Sequence, residues 1–144
     1  MAAETQTSIK GLAAVLSLLT AVLTACVTGG NEKTPVVLTQ ENAASVLNGE
    51  WTGRLESYGV GLVWGGSVSL TIDASERRGS FTLEGVPSWD SALEISNGKA
   101  RLRISYGTRE FSVYQTTNGL IMEANYASTW QGLPRNNYLR LRKK

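Results

Sequence analysis

The sequence has no histidine among its 144 residues, and it has a single cysteine, Cys26. Without histidine the chain lacks the commonest general base and transition-metal ligand, and it cannot form a serine or cysteine triad that uses imidazole. A zinc site built from cysteine and histidine is excluded as well. We therefore expect no bound metal and no cofactor, and we interpret the protein as a non-enzyme.

A phosphate-binding loop is also missing. The glycine-rich stretch GVGLVWGG, residues 59–66, lacks the Lys-Ser/Thr ending of a P-loop and has no predicted helix behind it. Carboxylate-only catalysis is the enzymatic route that remains, and its candidate side chains form no recognisable pair. These candidates are Asp73, Glu84, Asp90, Glu94, Glu110 and Glu123.

The N-terminal segment has the pattern of a secretory signal. Lys10 is its last charge, and residues 11–25 contain only Gly, Ala, Val, Leu, Ser and Thr. A basic flank followed by a short apolar core is typical of a signal peptide. The run is shorter than the roughly 20 apolar residues of a comfortable membrane-spanning helix. We predict that residues 1–25 are this signal.

The four residues Leu23-Thr24-Ala25-Cys26 resemble the lipobox of bacterial lipoproteins. The resemblance implies a diacylglycerol group on the Cys26 sulfur, cleavage before Cys26 and acylation of the new amino terminus, which together anchor the protein in a membrane. Val27, in place of an aspartate after the cysteine, implies the outer membrane, with the domain facing the periplasm. A plain secreted protein or an uncleaved anchor is the alternative. The envelope location argues against nucleic acid as a partner for the basic tail YLRLRKK.

Residues 26–38 are predicted to be the lipidated cysteine and a flexible tether, because this stretch is polar and is broken by glycine and proline. The domain is predicted to span residues 39–144. It begins with a short helix over 40–48, which Thr39 caps and Gly49 follows. From Glu50 onward, apolar and polar residues alternate. The predicted strands are 50–57, 63–73, 79–85, 91–96, 99–106, 109–116, 119–127 and 137–142.

Eight short strands with close turns favour an all-β fold, either a sandwich or a barrel. If the last strand pairs with the first, Arg140 and Arg142 come near Glu50 and Glu56. Closure would also remove the exposed edges of an open sheet. We therefore predict an eight-stranded antiparallel up-and-down barrel.

Three turn sequences predict the registers of four consecutive strands. They are Asn97-Gly98, Gly107-Thr108 and Asn118-Gly119. The first places Leu93 opposite Leu102, the second places Leu102 opposite Val113 and Ile104 opposite Phe111, and the third places Val113 opposite Ala124 and Phe111 opposite Tyr126. All these apolar residues fall on one face, and a slip of one residue in any turn would destroy that agreement.

Gly49-Glu50-Trp51, at the start of the first predicted strand, looks like the Gly-x-Trp signature of the calycin superfamily, which includes lipocalins, fatty-acid-binding proteins and avidins. The resemblance implies a calycin-like barrel in which a short helix precedes the first strand and an arginine of the last strand packs across the tryptophan. Arg140 or Arg142 would supply that arginine. The chain is shorter than a true lipocalin and lacks its disulfide and C-terminal helix, so the resemblance transfers no ligand class.

In an up-and-down barrel, alternate loops emerge at the same end. This arrangement places four aromatic residues at one rim: Tyr58, Trp64, Trp89 and Trp130. Loops on a rigid scaffold often carry binding residues, and tryptophan and tyrosine are enriched at interfaces. We predict that these four residues bind a ligand or partner. The alternative is that they fold inward and plug the core.

Two functions remain open at this point. One is a lipid-anchored binding module whose aromatic rim contacts another envelope protein, a glycan or an invading hydrolase. The other is a carrier of a small apolar ligand inside the barrel. An eight-stranded barrel is wide enough either to be filled by side chains or to hold one small ligand, and the many inward Leu, Ile and Phe residues favour a filled interior.

Overall fold

The structure is a computed structural model that describes residues 32–60, 62–104 and 107–144. The predicted signal 1–25 and the predicted lipidation site Cys26 lie outside these residues. The elements, in chain order, are β1 (Thr34–Val36), α1 (Ala43–Leu47), β2 (Gly49–Gly59), β3 (Leu62–Asp73), β4 (Arg78–Leu83), β5 (Val86–Ser96), β6 (Lys99–Ile104), β7 (Gly107–Thr116), β8 (Gly119–Trp130) and β9 (Leu133–Lys143).

Strands β2 to β9 form a closed antiparallel barrel. Each strand pairs with the next along the chain, and β9 pairs with β2. The predicted eight-stranded barrel is therefore confirmed, and it is consistent with a calycin-like fold. The connections β2–β3, β4–β5, β6–β7 and β8–β9 lie at one end, which we call the mouth. The remaining turns lie at the other end together with α1, and we call it the closed end.

Strand β1 is an addition that the sequence did not predict. It pairs with β7, with Thr34 opposite Gln115 and Val36 opposite Val113. Strand β6 pairs with β7 only as far as Phe111. The rest of that edge of β7 is therefore open, and β1 pairs with it. The amide of Leu38, which is buried, then donates to the Gly98 carbonyl over 3.0 Å. Residues 34–38 of the predicted tether thus belong to the barrel.

The helix α1 is shorter than predicted. Thr39 and Asn42 exchange hydrogen bonds, from the Thr39 amide to Asn42 Oδ1 and from the Asn42 amide to Thr39 Oγ1. This reciprocal exchange has the pattern of a capping box, and the Ala43 amide donates to the Thr39 carbonyl over 3.0 Å. Thr39 thus caps the turn that leads into the helix, as predicted, although the helix itself runs only from Ala43 to Leu47. Gly49 follows the helix, as predicted, and its φ of +114° suits glycine. Among the described residues, no helix has the length and apolarity needed to cross a membrane.

The predicted register is confirmed between β5 and β6, where Leu93 lies opposite Leu102. It is wrong between β6 and β7, where Ala100 rather than Ile104 lies opposite Phe111, a slip of four residues. It is also wrong between β7 and β8, where Val113 lies opposite Met122, a slip of two. Both slips are even, so the inward face is the predicted one.

The turn between β7 and β8 closes one residue earlier than predicted. The Thr116 hydroxyl donates to the Gly119 carbonyl over 2.8 Å and accepts from the Asn118 amide over 3.2 Å. These bonds hold Thr116 opposite Gly119, so Thr117 and Asn118 form the connection. Local side-chain hydrogen bonding therefore overrides the predicted Asn118-Gly119 turn.

Side chains fill the barrel interior. Its largest fully buried side chains come from α1 and from seven of the barrel strands. They are Leu47, Trp51, Leu70, Phe81, Leu102, Phe111, Val113, Met122, Leu139 and Leu141. A small barrel packed by large apolar side chains in this way derives its stability from dense packing. The predicted filled interior agrees with this arrangement.

Trp51 joins the closed end to the barrel. Its Nε1 donates to the Leu47 carbonyl at the end of α1 over 2.8 Å. The cation that lies across its ring is Lys143, whose Nζ is 5.8 Å from the ring centroid, and not Arg140 or Arg142. Side chains alternate along β9, so Lys143 shares the inward face with Leu141 while both arginines point outward.

The outward arginines also differ from prediction in their partners. Arg140 Nε lies 3.4 Å from Glu123 Oε1, whereas Glu50 pairs with Lys144 over 3.0 Å. Arg140 lies opposite Arg54 in the β2–β9 ladder. The barrel closes as predicted, but the acidic residues Glu50 and Glu56 are not the partners of these arginines.

Candidate functional site

Large apolar side chains are exposed mainly at the mouth. All of those exposed among the described residues, except Val37, lie on the β2–β3, β4–β5 and β8–β9 hairpins. They are Tyr58, Val60, Trp64, Val86, Trp130 and Leu133. Val60 is 95% exposed and Trp130 is 58% exposed. A concentration of exposed apolar side chains is a common mark of an interaction site.

Trp64 lies on the inward side of β3 and covers the mouth. A Cβ added at Gly66 would lie 3.2 Å from Trp64 Cη2 and 3.5 Å from Leu83 Cδ1. The missing side chain at Gly66 therefore makes room for the indole ring, which folds back towards Leu83. Trp64 stays partly exposed in this position, so it forms one aromatic wall of the mouth.

Trp89 is placed differently from the other three predicted aromatics. It stacks on the buried ring of Phe81, with centroids 5.4 Å apart and planes at 16°. Its Nε1 donates to the Arg103 carbonyl over 3.3 Å. Because β5 already begins at Val86, Trp89 lies within a strand and not in the predicted loop. It therefore packs beneath the mouth, while Tyr58, Trp64 and Trp130 lie at its surface.

Tyr58 and Trp130 are on neighbouring hairpins and each contacts a charged side chain. The guanidinium of Arg135 lies 5.5 Å from the centre of the Trp130 ring, within the range of a cation–π contact. The Tyr58 hydroxyl donates to Glu56, and this hydrogen bond raises the pKa of Tyr58. Both rings are thereby held at the mouth without being buried.

No family model, curated protein or solved structure matches this chain. No group of three or more His, Cys, Asp or Glu side chains that could hold a metal ion occurs within residues 32–60, 62–104 and 107–144.

The inner side of the mouth also has a polar wall, of which sequence reasoning placed only Tyr126 on the inward face. It runs across β2, β9, β8 and β7 and consists of Ser57, Asn137, Tyr126 and Arg109. Asn137 Nδ2 donates to the Tyr126 carbonyl over 3.2 Å, and Ser57 lies opposite Asn137. The Arg109 guanidinium lies 4.4 Å from the Tyr126 ring centroid. Trp64 and Leu83 face this wall from the apolar side.

Two features of this wall bear on its chemistry. Burial raises the pKa of Tyr126, and the nearby charge of Arg109 partly opposes that rise. Arg109 Nε is buried and has no hydrogen-bond partner among the described residues. The mouth thus combines aromatic rings with inward hydrogen-bonding groups. The period-two pattern could have indicated these residues, but only once the stagger between the strands was known.

A separate cluster of charges lies on the outer face, around Glu123. This carboxylate is 8% exposed and accepts from Lys33 Nζ and from the Tyr138 hydroxyl, each over 2.8 Å. Burial alone would raise the pKa of Glu123, but these hydrogen bonds and the charges of Lys33 and Arg140 lower it overall. Burial and the hydrogen bond to Glu123 together raise the pKa of Tyr138 to about 12. Since Lys33 precedes β1, the cluster fastens β1 to the barrel.

Glu123→Gln is expected to lower the free energy of unfolding at pH 7 by about 1–2 kcal/mol, because the amide cannot replace the charge-assisted hydrogen bonds. The native pKa lies below the ordinary value of 4.5. The carboxylate therefore stabilises the fold above that value, and its contribution is lost as the pH falls through the native pKa. Urea unfolding at pH 7 and at about pH 3 should show the difference between wild type and variant shrinking in acid.

Glu110→Gln is the matched control for this experiment. Glu110 is exposed on the neighbouring strand and lies 3.6 Å from Lys99, so its replacement should have a small effect at either pH. Equal losses in the two variants, or a Glu123→Gln difference that does not depend on pH, would contradict the role given to this cluster.

Proposed function

We propose that the protein is a binding module of the bacterial cell envelope that contacts a macromolecular partner through the mouth of its barrel. The observation that supports this function is the concentration of exposed large apolar side chains on three adjoining hairpins. Aromatic residues at the centre of an interface commonly supply most of its binding energy. Trp64 and Trp130 are the residues expected to anchor the partner, which would be an envelope protein or a glycan.

The proposed attachment to the membrane is the acylated Cys26, as the lipobox resemblance implies. The described chain joins the barrel through β1, whose Thr34 lies opposite Gln115, next to the β7–β8 turn. This turn belongs to the closed end. An anchor that precedes β1 would therefore hold the domain from the closed end and leave the mouth free for a partner. Attachment to the outer membrane, on its periplasmic side, is part of the same proposal.

The alternative function, a carrier with a ligand inside the barrel, has less support. Phe81, Phe111 and Met122 are buried among the other inward side chains, and a ligand would have to displace them. The combination of exposed aromatic residues and a packed interior favours recognition at the surface of the mouth over storage in the core.

Photocrosslinking in intact cells tests the proposed surface. A photoreactive residue introduced at Val60, in the β2–β3 hairpin, is expected to form a covalent adduct with the partner. The same residue introduced at Thr117, in the β7–β8 turn of the closed end, is expected to form none. Adducts of equal yield at the two positions would overturn the proposal, because contact would then be independent of the mouth.

A substitution in the same assay tests the aromatic anchor. Trp130→Ala should reduce the Val60 adduct by about tenfold or more, as the loss of an interface anchor does. It should change the free energy of unfolding by less than about 1 kcal/mol, because the ring is largely exposed. Thr129→Ala, the adjacent exposed residue, is the matched control and should leave the adduct unchanged. An undiminished adduct in Trp130→Ala would contradict the assigned role.

A further inference from the structure

A pocket of about 400 Å³ lies at the closed end, where residues of α1 and β5 line it. It arises because β4 begins at Arg78, opposite Ala92, while β5 continues to Ser96. The last hydrogen bond between β5 and the residue that precedes β4 runs from the Leu93 amide to the Arg77 carbonyl, over 2.8 Å. Beyond Leu93, β5 has no β4 partner among the described residues, and the start of α1 lies across the resulting gap.

The lining of this pocket contains both apolar and basic residues. Ala44, Ala74 and Ile95 are apolar residues of the lining, and Arg77 and Arg101 are its basic residues. Glu94 is the acidic residue of the lining, so the pocket carries an excess of one positive charge. A ligand that matches both kinds of residue must have an apolar part and an anionic group.

The Arg101 guanidinium is incompletely satisfied. Its Nη1 lies 3.3 Å from Glu94 Oε2, and its Nε is buried without a hydrogen-bond partner among the described residues. A guanidinium can bind a carboxylate through two parallel N–H donors. The Nε edge of Arg101 is the edge that Glu94 leaves free, so a small turn of the side chain would present it to a ligand carboxylate.

We propose that this pocket binds a small amphiphile that carries one carboxylate and a short apolar chain. The carboxylate lies between Arg101 and Arg77, and the chain lies against Ala44, Ala74 and Ile95. A ligand with a cationic head group is disfavoured by the two guanidinium groups. The site is at the opposite end of the barrel from the mouth, and it does not depend on the function proposed there.

NMR titration of the full chain with hexanoate tests this inference. Hexanoate is expected to shift the amide signals of Ala44, Leu93 and their neighbours, whereas hexylammonium, with the same chain and the opposite charge, should leave them in place. Arg101→Gln should weaken hexanoate binding by about tenfold or more, since a charged hydrogen-bond donor is lost. Arg103→Gln is the matched control, because Arg103 is exposed on the same strand outside the pocket, and it should bind as the wild type does.

A second variant keeps both arginines and reduces only the volume of the pocket. Ala44→Phe is expected to abolish hexanoate binding, because Ala44 is exposed and a phenyl ring there would occupy the pocket. Equal binding of hexanoate and hexylammonium would overturn the proposal. So would equal weakening in Arg101→Gln and Arg103→Gln, or hexanoate shifts confined to the mouth.

Discussion

Replacing Trp51 by alanine is expected to lower the free energy of unfolding by about 3–5 kcal/mol, the usual loss for a buried tryptophan. The side chain is 0% exposed. It connects three parts of the fold, because it is carried by β2, donates to the Leu47 carbonyl of α1 and lies beneath Lys143 of β9. Truncation would leave a large cavity at the closed end and an unpaired carbonyl beside it.

Urea unfolding measures this loss, and Trp130→Ala is its matched control. Both variants remove an indole, but Trp130 is largely exposed at the mouth and should cost less than about 1 kcal/mol. If the two variants lost equal stability, the assignment of Trp51 to the core and of Trp130 to the surface would be incorrect. A loss in Trp51→Ala confined to α1, with an intact barrel, would show that the closed end unfolds separately.

Gly53→Ala is expected to destabilise the barrel by about 3 kcal/mol or more, the upper range for overpacking. A Cβ at this position would lie 1.9 Å from the Arg140 carbonyl oxygen and 3.0 Å from Leu141 Cα. These atoms belong to the backbone of β9, so no rotamer change can relieve the clash. The substitution would force β2 and β9 apart at the ladder that closes the barrel.

Gly65→Ala provides the control on the adjoining strand. There the added Cβ would meet mainly the end of the flexible Arg54 side chain, at 3.1 Å, which can move away. A change within about 1 kcal/mol of wild type, in either direction, is expected. Thermal unfolding of the two variants gives the comparison. A Gly53→Ala protein as stable as Gly65→Ala would mean that β2 and β9 are not in contact as described.

The Asn-Gly sequences at two of the predicted hairpin turns show how far turn chemistry predicts the fold. At Asn97-Gly98 both residues have positive φ, 52° and 74°, which is the geometry that makes this dipeptide a strong hairpin signal. The predicted register is confirmed there. At Asn118-Gly119 only the glycine has positive φ, since Thr116 closes the turn earlier. The Thr116 side chain therefore sets the register at the second turn. A rule based on the Asn-Gly dipeptide alone does not take that neighbouring side chain into account.

Features that depend on several strands at once could not be predicted. Strand β1 pairs with an edge of β7 that is open only because of where β6 begins, and this requires the β6–β7 register. Alternation of side chains along β9 would have identified Lys143 as the cation across Trp51. The calycin resemblance instead implied an arginine. The polar wall depends on the stagger of four strands, which no local pattern specifies.

The ladders at the mouth reach almost to the tips of their hairpins, with Tyr58 opposite Val63 and Trp130 opposite Leu133. At its tip, a hairpin built in this way can gain or lose residues two at a time, one on each strand, without changing the faces of the residues below. An odd change would reverse the faces unless a bulge absorbed it. Insertions and deletions in pairs would therefore alter the height of the mouth over an unchanged barrel, which gives evolution a way to fit it to partners of different shape.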